Sequence, residues 1–511
     1  MASPPRPILV ASNRGPLSFS LDERGELVHR RGGGGLVTAL TGALQATGGR
    51  WVAAAMSEGD RAAARSSPDG RGRIEALEGS DTYDLRYLEL SPDRFGLAYD
   101  AIANRVLWFV HHYLWDVPHN PRFDDDTWEA WRAYVEVNEA FAAALDEEAT
   151  GLDPPPAILV QDYHLALVPR LLRERRPGAL VLHFTHTPFA GPDYLRILPD
   201  RMRHELLQGM LGADVLGFHV PAWAEAFLLS CRHLPAARVD LRRRTVSFDG
   251  RTTLVRDHAI GVDAPALRAR ARAADVSGHR RELARLRADG RLIVRVDRLE
   301  LSKNVVRGFE AYAAMLRRRP EWIGRVAFLA LLMPSRRGVP EYREYERACT
   351  ETADRINAEL GRDDWQPVRL EIDDDFARSL AAYLEFDVLL VNPVVDGMNL
   401  VALEGPAVNR RRGVLVLSRA AGAWARVGRH AIGVNPFDVG ETAEALHAAL
   451  SLPDDERAAM AAALRRAVAA AGPDRWVMAQ LADLDRAARP PAVGAGHDRR
   501  EDQPSSGFSS A

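Results

Sequence analysis

The sequence predicts an α/β protein of two doubly wound domains, each a mostly parallel sheet between layers of helices. Three observations point there. The 511 residues exceed what one hydrophobic core organises, roughly 250 to 300 residues, so two large domains are indicated. Short apolar runs recur along the chain, each followed by a polar loop and a helix-like stretch. The runs are continuous rather than alternating, which belongs in a sheet covered on both faces.

In chain order, ILVA from Ile8 opens a first series, continued by AILV from Ala157 and ALVLHF from Ala179. RLIVRV from Arg291 opens a second, continued by RVAFLALL from Arg325, FDVLLVN from Phe386 and GVLVLS from Gly413. Between them, over 255–290, the arginine-rich helical stretch ALRARARAADVSGHRRELARLRADG marks a break near Asp263. The acidic clusters FDDD at 123 and IDDD at 372 precede helical stretches and read as caps. Helical periodicity runs on through DERAAMAAALRRAVAAA and DRWVMAQLADLDRAA, and the proline-, glycine- and serine-rich remainder predicts disorder. The division is therefore an N-terminal domain at 1–262, a C-terminal domain at 263–470, a last helix at 471–488 and a disordered tail at 489–511.

Composition narrows the function classes. A formal charge of -3 gives no electrostatic drive toward nucleic acid, and no apolar run is long enough to span a membrane. The opening MASPPRPILVASNRG lacks a basic start and a long apolar region, which predicts no secretory signal and a cytoplasmic enzyme. Cys231 and Cys349 lie far apart in no metal-like spacing and read as reduced, structural thiols. Small-molecule substrates are the expected partners, without nucleic acid or membrane, and homo-oligomerisation is left open.

In open parallel sheets, ligands bind beyond the carboxyl ends of the strands. The residues there are Arg14, Asp162, His164, His186, Arg298, Arg336 and Asp396. Any one charged residue at a strand end is commonly a solvated loop position, but six strand ends coincide. Arg298 and Lys303, in VDRLELSKN, put two cations beside the N–H groups of a helix start, as a diphosphate clamp requires. Lys303 is the only lysine of the chain. An ammonium is a compact point charge where a guanidinium is a broad fork, so its retention suggests a site that rejects arginine; chance retention is the bland alternative.

In NPVVDGMNLVALEG a strand ends, a glycine turn follows and a helix begins near Leu400, so amides around 398–401 face an anion or sugar hydroxyls. Asp396 and Glu404 can accept from hydroxyls there. Such loops also occur without ligands, and the run RRGGGGLV is as readily a flexible loop as a phosphate approach. His183 and His186 sit three apart on a strand and point to opposite faces, which argues against a zinc pair. No metal and no cofactor is expected.

Together, SNRGP with GGGGL, VLWFVHHY, VQDYHL, HTPF, DRLELSKN, PSRRGVPEY and DGMNLVALE resemble the trehalose-6-phosphate synthase family of retaining glycosyltransferases, glycosyltransferase family 20, in the family's order over roughly 8–488. The resemblance implies a GT-B fold, two Rossmann-like domains with the site in the cleft and a C-terminal helix crossing back. It implies an acceptor pocket of Arg14, Tyr99, Trp108, Asp162 and Arg336. It implies donor contacts from Gly35, His186, Arg298, Lys303, Asp396, Gly397, Met398, Asn399, Leu400, Val401 and Glu404. Asp162, His186, Arg298 and Lys303 are the expected catalytic set. The implied reaction moves glucose from a nucleoside diphosphate glucose, UDP- or GDP-glucose, to glucose 6-phosphate.

Common forms of the family read RDGMNLVAKE, RLDYSKG and HIPFP; here Val395, Leu403, Glu300, Leu301, Asn304 and Thr187 stand at the variable places. The segment after the first helix is reduced to WVAAAMSEGD. Two other readings follow: a relative forming a C–N bond between a nucleotide-activated cyclitol and an aminocyclitol phosphate, and a catalytically silent homologue that senses sugar phosphate.

Overall fold

A computed structural model describes residues 6–31, 37, 40–42, 44, 47, 49–75, 82–287, 290–470 and 472–488. Gly35 and the tail at 489–511 lie outside the described residues.

The first sheet contains β1 (Ile8–Ser12), β4 (Arg50–Ala54), β5 (Arg71–Glu75), β6 (Thr82–Leu88), β7 (Ala157–Gln161), β8 (Leu180–Thr185), β9 (Val215–Phe218), β10 (Arg238–Asp240), β11 (Thr245–Phe248) and β12 (Arg251–Asp257). A separate hairpin pairs β2 (Leu17–Leu21) with β3 (Leu27–Arg31). The order in the sheet is β10-β11-β12-β9-β8-β7-β1-β4-β6-β5. Its interior is parallel, with Val10 of β1 set between Trp51 and Leu159. Both edges are antiparallel, which the apolar runs do not announce: β10 pairs with β11, β11 with β12, and β5 with β6. These edge strands are short or charged, as solvent-facing edges are.

The second sheet contains β13 (Arg291–Arg298), β14 (Val326–Met333), β15 (Val368–Ile372), β16 (Val388–Val391), β17 (Val414–Ser418) and β18 (Ile432–Val434). Its order, β15-β14-β13-β16-β17-β18, is parallel throughout. Counting from β13, that is the doubly wound 3-2-1-4-5-6 arrangement, with the order reversing between β13 and β16. The first sheet reverses between β1 and β7 in the same way. The fold is GT-B.

The predicted caps are present. Asp124 accepts from Thr127 N–H to start the helix Asp125–Ala149, and Asp375 accepts from Arg378 N–H to start Phe376–Glu385. The last helix, Pro473–Ala488, lies on the first sheet: Trp476 meets Phe184 edge-on at 4.9 Å, and Asp483 pairs with His258 at 2.6 Å. Cys231 and Cys349 are buried free thiols. Among the described residues no helix is long and apolar enough to cross a membrane.

Candidate active site

The site is built where the two switch points face each other. On the first sheet, Asp162 follows β7 with φ of 70°, a turn that aims its carboxylate back to accept from His186 N–H at 3.0 Å. Burial raises the Asp162 pKa to about 6, against the lowering by nearby N–H groups and Arg336. His186 follows β8, with Nε2 3.0 Å from the amide oxygen of Gln161. Nε2 therefore carries the hydrogen and Nδ1 is left an acceptor. Burial, with His219 and His183 nearby, holds the His186 imidazole well below its usual pKa and neutral.

Tyr99 and Trp108 come from one continuous helical segment that widens to π geometry over Leu97–Leu107 and returns to an α-turn at Trp108–His111. Such widenings are rare and often mark functional sites. Arg14, just past β1, donates to the Tyr99 hydroxyl at 3.4 Å. Burial would raise the Tyr99 phenol, but the cations Arg14 and Arg336 outweigh it and hold its pKa below normal. The pocket is electropositive.

Arg336 reaches in from the loop after β14. It donates to the hydroxyls of Tyr342 at 2.6 Å and Tyr163 at 3.1 Å, the second across the cleft. Its guanidinium lies 3.8 Å from the Trp108 ring centroid, and that of Arg298 lies 5.6 Å from the same centroid. Two cations thus share one indole face system, an arrangement in which the ring quadrupole offsets part of their repulsion. Trp108 also stacks on His112 at 3.8 Å. Nδ1 of His112 bonds the Trp108 carbonyl at 2.9 Å, and burial lowers its pKa to about 4, so its Nε2 is a lone pair rather than a charge.

On the second sheet, Arg298 ends β13 with its side chain half exposed and 2.9 Å from Glu300. Lys303 closes the short turn Leu301–Lys303 and places Nζ 2.5 Å from Asp396, which also accepts from Asn399 at 3.1 Å. Burial works against the Lys303 ammonium, but Asp396, Asp297 and Glu300 outweigh it and raise its pKa. Conversely, burial would raise Asp396, and contact with Lys303 more than reverses that.

The loop carrying Asp396, Gly397 and Met398 is zipped onto 420–423 by backbone hydrogen bonds and pressed against the first domain. A Cβ at Gly397 would lie 1.9 Å from the His186 carbonyl oxygen, and the Gly397 carbonyl accepts from Trp223 Nε1 at 3.2 Å. Met398 and Asn399 are buried, Leu400 caps the helix Val401–Val408, and Val401 is its first residue. Glu404 lies one turn further, 3.4 Å from the Tyr383 hydroxyl, its pKa raised by burial.

The sequence-predicted residues so fall into linked sets: Arg14 with Tyr99, Asp162 with His186, Trp108 with Arg298 and Arg336, and Lys303 with Asp396 and Asn399. Glu404 joins them only through its backbone N–H, which donates to the Leu400 carbonyl at 2.8 Å. Several groups that complete the site lay inside the recognised motifs without being singled out, Gln161, Tyr163, His112 and Tyr342, and Glu300 was read only as a replaced position. The fold brings Gln161 to His186, and Tyr163 and Glu300 to Arg336. Among the described residues no group of three or more His, Cys, Asp or Glu side chains is placed to hold a metal ion.

Three of the replaced positions have local explanations. Val395 and Leu403 are buried at 6% and 0% exposure, Leu403 within the main apolar cluster, where a basic side chain would be left unpaired. Asn304 has φ of 61°, a conformation that glycine and asparagine tolerate, and its amide donates to the carbonyls of Asn392 and Pro436. Nothing in the structure explains Thr187.

The sequence model of glycosyltransferase family 20 matches residues 6–486. A validamine 7-phosphate valienyltransferase of Streptomyces hygroscopicus is 34% identical over 491 residues, covering 94% of this chain and 95% of that one. A UDP-forming α,α-trehalose-phosphate synthase of Aspergillus fumigatus is 32% identical over 458 residues, covering 88% and 91%. Among solved structures, the UDP-forming α,α-trehalose-phosphate synthase of Burkholderia xenovorans in complex with glucose 6-phosphate superposes with a TM-score of 0.80 at 27% identity, covering 94% of this chain and all of that one.

Proposed function

Because the chain belongs to glycosyltransferase family 20, we propose that it is a retaining hexosyltransferase that moves glucose from UDP- or GDP-glucose to glucose 6-phosphate, forming α,α-trehalose 6-phosphate. The observation that carries this reading is the convergence of Arg298 and Arg336 on Trp108. One cation stands at the donor strand end and the other among the acceptor residues, so a diphosphate and a phosphate are drawn toward one ring.

In this reading the bond from the anomeric carbon to the diphosphate breaks, the acceptor hydroxyl bonds the same face of that carbon, and its proton passes to the departing diphosphate. No protein nucleophile is needed. Arg298 and Lys303 meet the charge that develops on the leaving group, without a metal. Asp396 and the 397–399 backbone hold the donor ring, Glu404 takes the ribose, and Arg14, Tyr99 and Arg336 hold the acceptor phosphate. Asp162 orients the acceptor hydroxyl and His186 offers Nδ1 to a donor hydroxyl. Closure of the cleft excludes water, the competing acceptor.

A panel of UDP-, GDP- and ADP-glucose tests this. Nucleoside diphosphate release that requires glucose 6-phosphate supports the reading; no such release with all three donors contradicts it. A second reading, C–N transfer to an aminocyclitol phosphate, is favoured by the 34% identity to the valienyltransferase and keeps the same two clamps. It predicts turnover with an aminocyclitol phosphate and none with glucose 6-phosphate.

A further inference from the structure

Glu300 has no role in the reading above, yet the two clamps meet on it. It sits two residues past Arg298 with no solvent exposure. Its Oε1 lies 2.9 Å from Nη1 of Arg298 and 3.8 Å from Nη1 of Arg336, and accepts from Ser335 Oγ at 3.1 Å. Its backbone is held at both ends, the N–H donating to the Arg298 carbonyl at 2.8 Å and the carbonyl accepting from Lys303 N–H at 2.9 Å. Oε2 is buried with no hydrogen bond. One oxygen of this carboxylate is crowded and the other is idle.

A buried carboxylate in that state persists only where cations compensate its lost hydration. They do: burial alone would raise its pKa, but Arg298, Arg336 and Lys303 lower it to about 2. Glu300 is therefore a fixed negative charge shared between a guanidinium on β13 and one on the loop after β14. We propose that Glu300 is a positioning residue that couples the donor-diphosphate clamp to the acceptor-phosphate clamp by sharing its carboxylate between Arg298 and Arg336.

The proposal rests on the assignment of those two arginines made above. When an acceptor phosphate draws Arg336 away, the idle Oε2 lets Glu300 take Arg298 with both oxygens, which is the stronger and more directional pairing. The donor clamp is then set in one orientation. A diphosphate on the remaining N–H groups of Arg298 favours the same arrangement, with Arg336 released to the acceptor phosphate, because coupling between two sites is reciprocal. Each ligand therefore tightens the other. An ion pair with a merely structural role would change both affinities without changing their effect on each other.

The test is calorimetric titration of UDP and of GDP, with and without saturating glucose 6-phosphate. In the wild-type enzyme, glucose 6-phosphate lowers the Kd of the nucleoside diphosphate that binds by about 5-fold or more, the lower end of ordinary coupling. In Glu300→Gln, nearly the same shape without the charge, that factor falls to about one by the same reasoning, whatever happens to each Kd alone. Glu300→Asp, too short to reach both guanidinium groups, lowers the factor and serves if the glutamine variant does not fold. An unchanged factor in either variant, or no coupling in the wild type, overturns the proposal. Failure of glucose 6-phosphate and both nucleoside diphosphates to bind the wild type would instead sink the substrate assignment, and the coupling with it.

Discussion

Lys303 is a mostly buried cation held against the loop after β16. Its side chain is 12% exposed and in contact with Asp396; in the proposed reaction it exchanges that carboxylate for a phosphate oxygen of the donor. Removing one preorganised group that stabilises a leaving charge costs about 2.7–4 kcal/mol of barrier. Lys303→Ala is thus expected to lower kcat by about 100- to 1,000-fold while leaving the glucose 6-phosphate Kd nearly unchanged, a split that steady-state kinetics and calorimetry read directly. Asp162 gives a pH signature. Its carboxyl, raised to about 6, must be ionised to accept from the acceptor hydroxyl, so kcat/KM for the acceptor should fall below that pH, and Asp162→Asn should remove the limb along with most of the activity. The same shift has a stability sign. The folded state holds this proton more tightly than the unfolded chain, so Asp162 costs stability as pH rises from the ordinary carboxylate range to about 6. Residues at strand ends were legible in the sequence because the fold class dictates where ligands bind. Glu300 read only as a replacement, because its second partner, Arg336, arrives on the loop after the neighbouring strand.

At the scale of elements, the loop after β16 shows why glycine is required at one place. Any side chain at Gly397 would collide with the backbone oxygen of His186, so the donor loop can close on the first domain only without one. Gly397→Ala should therefore raise the donor KM and lower kcat together, with little loss of overall stability because only the closed cleft is obstructed; an unchanged donor KM would contradict that closure. The uninterrupted apolar runs predicted their strands well. β6 and β9 were harder to see, since the charged Asp84 and Arg86, and Gly217, break their runs. Arg86 belongs in a strand because it pairs with Glu147 and Glu148 of a neighbouring helix, information that no local window contains. The antiparallel edges escaped for a related reason: the partners of β10 and β5 are set by topology.

At the scale of the whole molecule, the cleft depends on the last helix lying on the first sheet behind His186. Trp476 is buried between Phe184 and His186, with ring centroids 4.9 and 5.7 Å away. Trp476→Ala should destabilise the enzyme by about 3–5 kcal/mol, the usual range for truncating a buried tryptophan, visible as a lower urea midpoint. Both clamps, their shared indole and the closing loop depend on two domains meeting, and together they serve one act of transfer. That act is most directly tested by the product itself. Proton NMR of the reaction with glucose 6-phosphate and the best nucleoside diphosphate glucose should show two α-anomeric signals of trehalose 6-phosphate formed in step with nucleoside diphosphate release. A β-linked product, or transfer that proceeds only onto the nitrogen of an aminocyclitol phosphate, would contradict it.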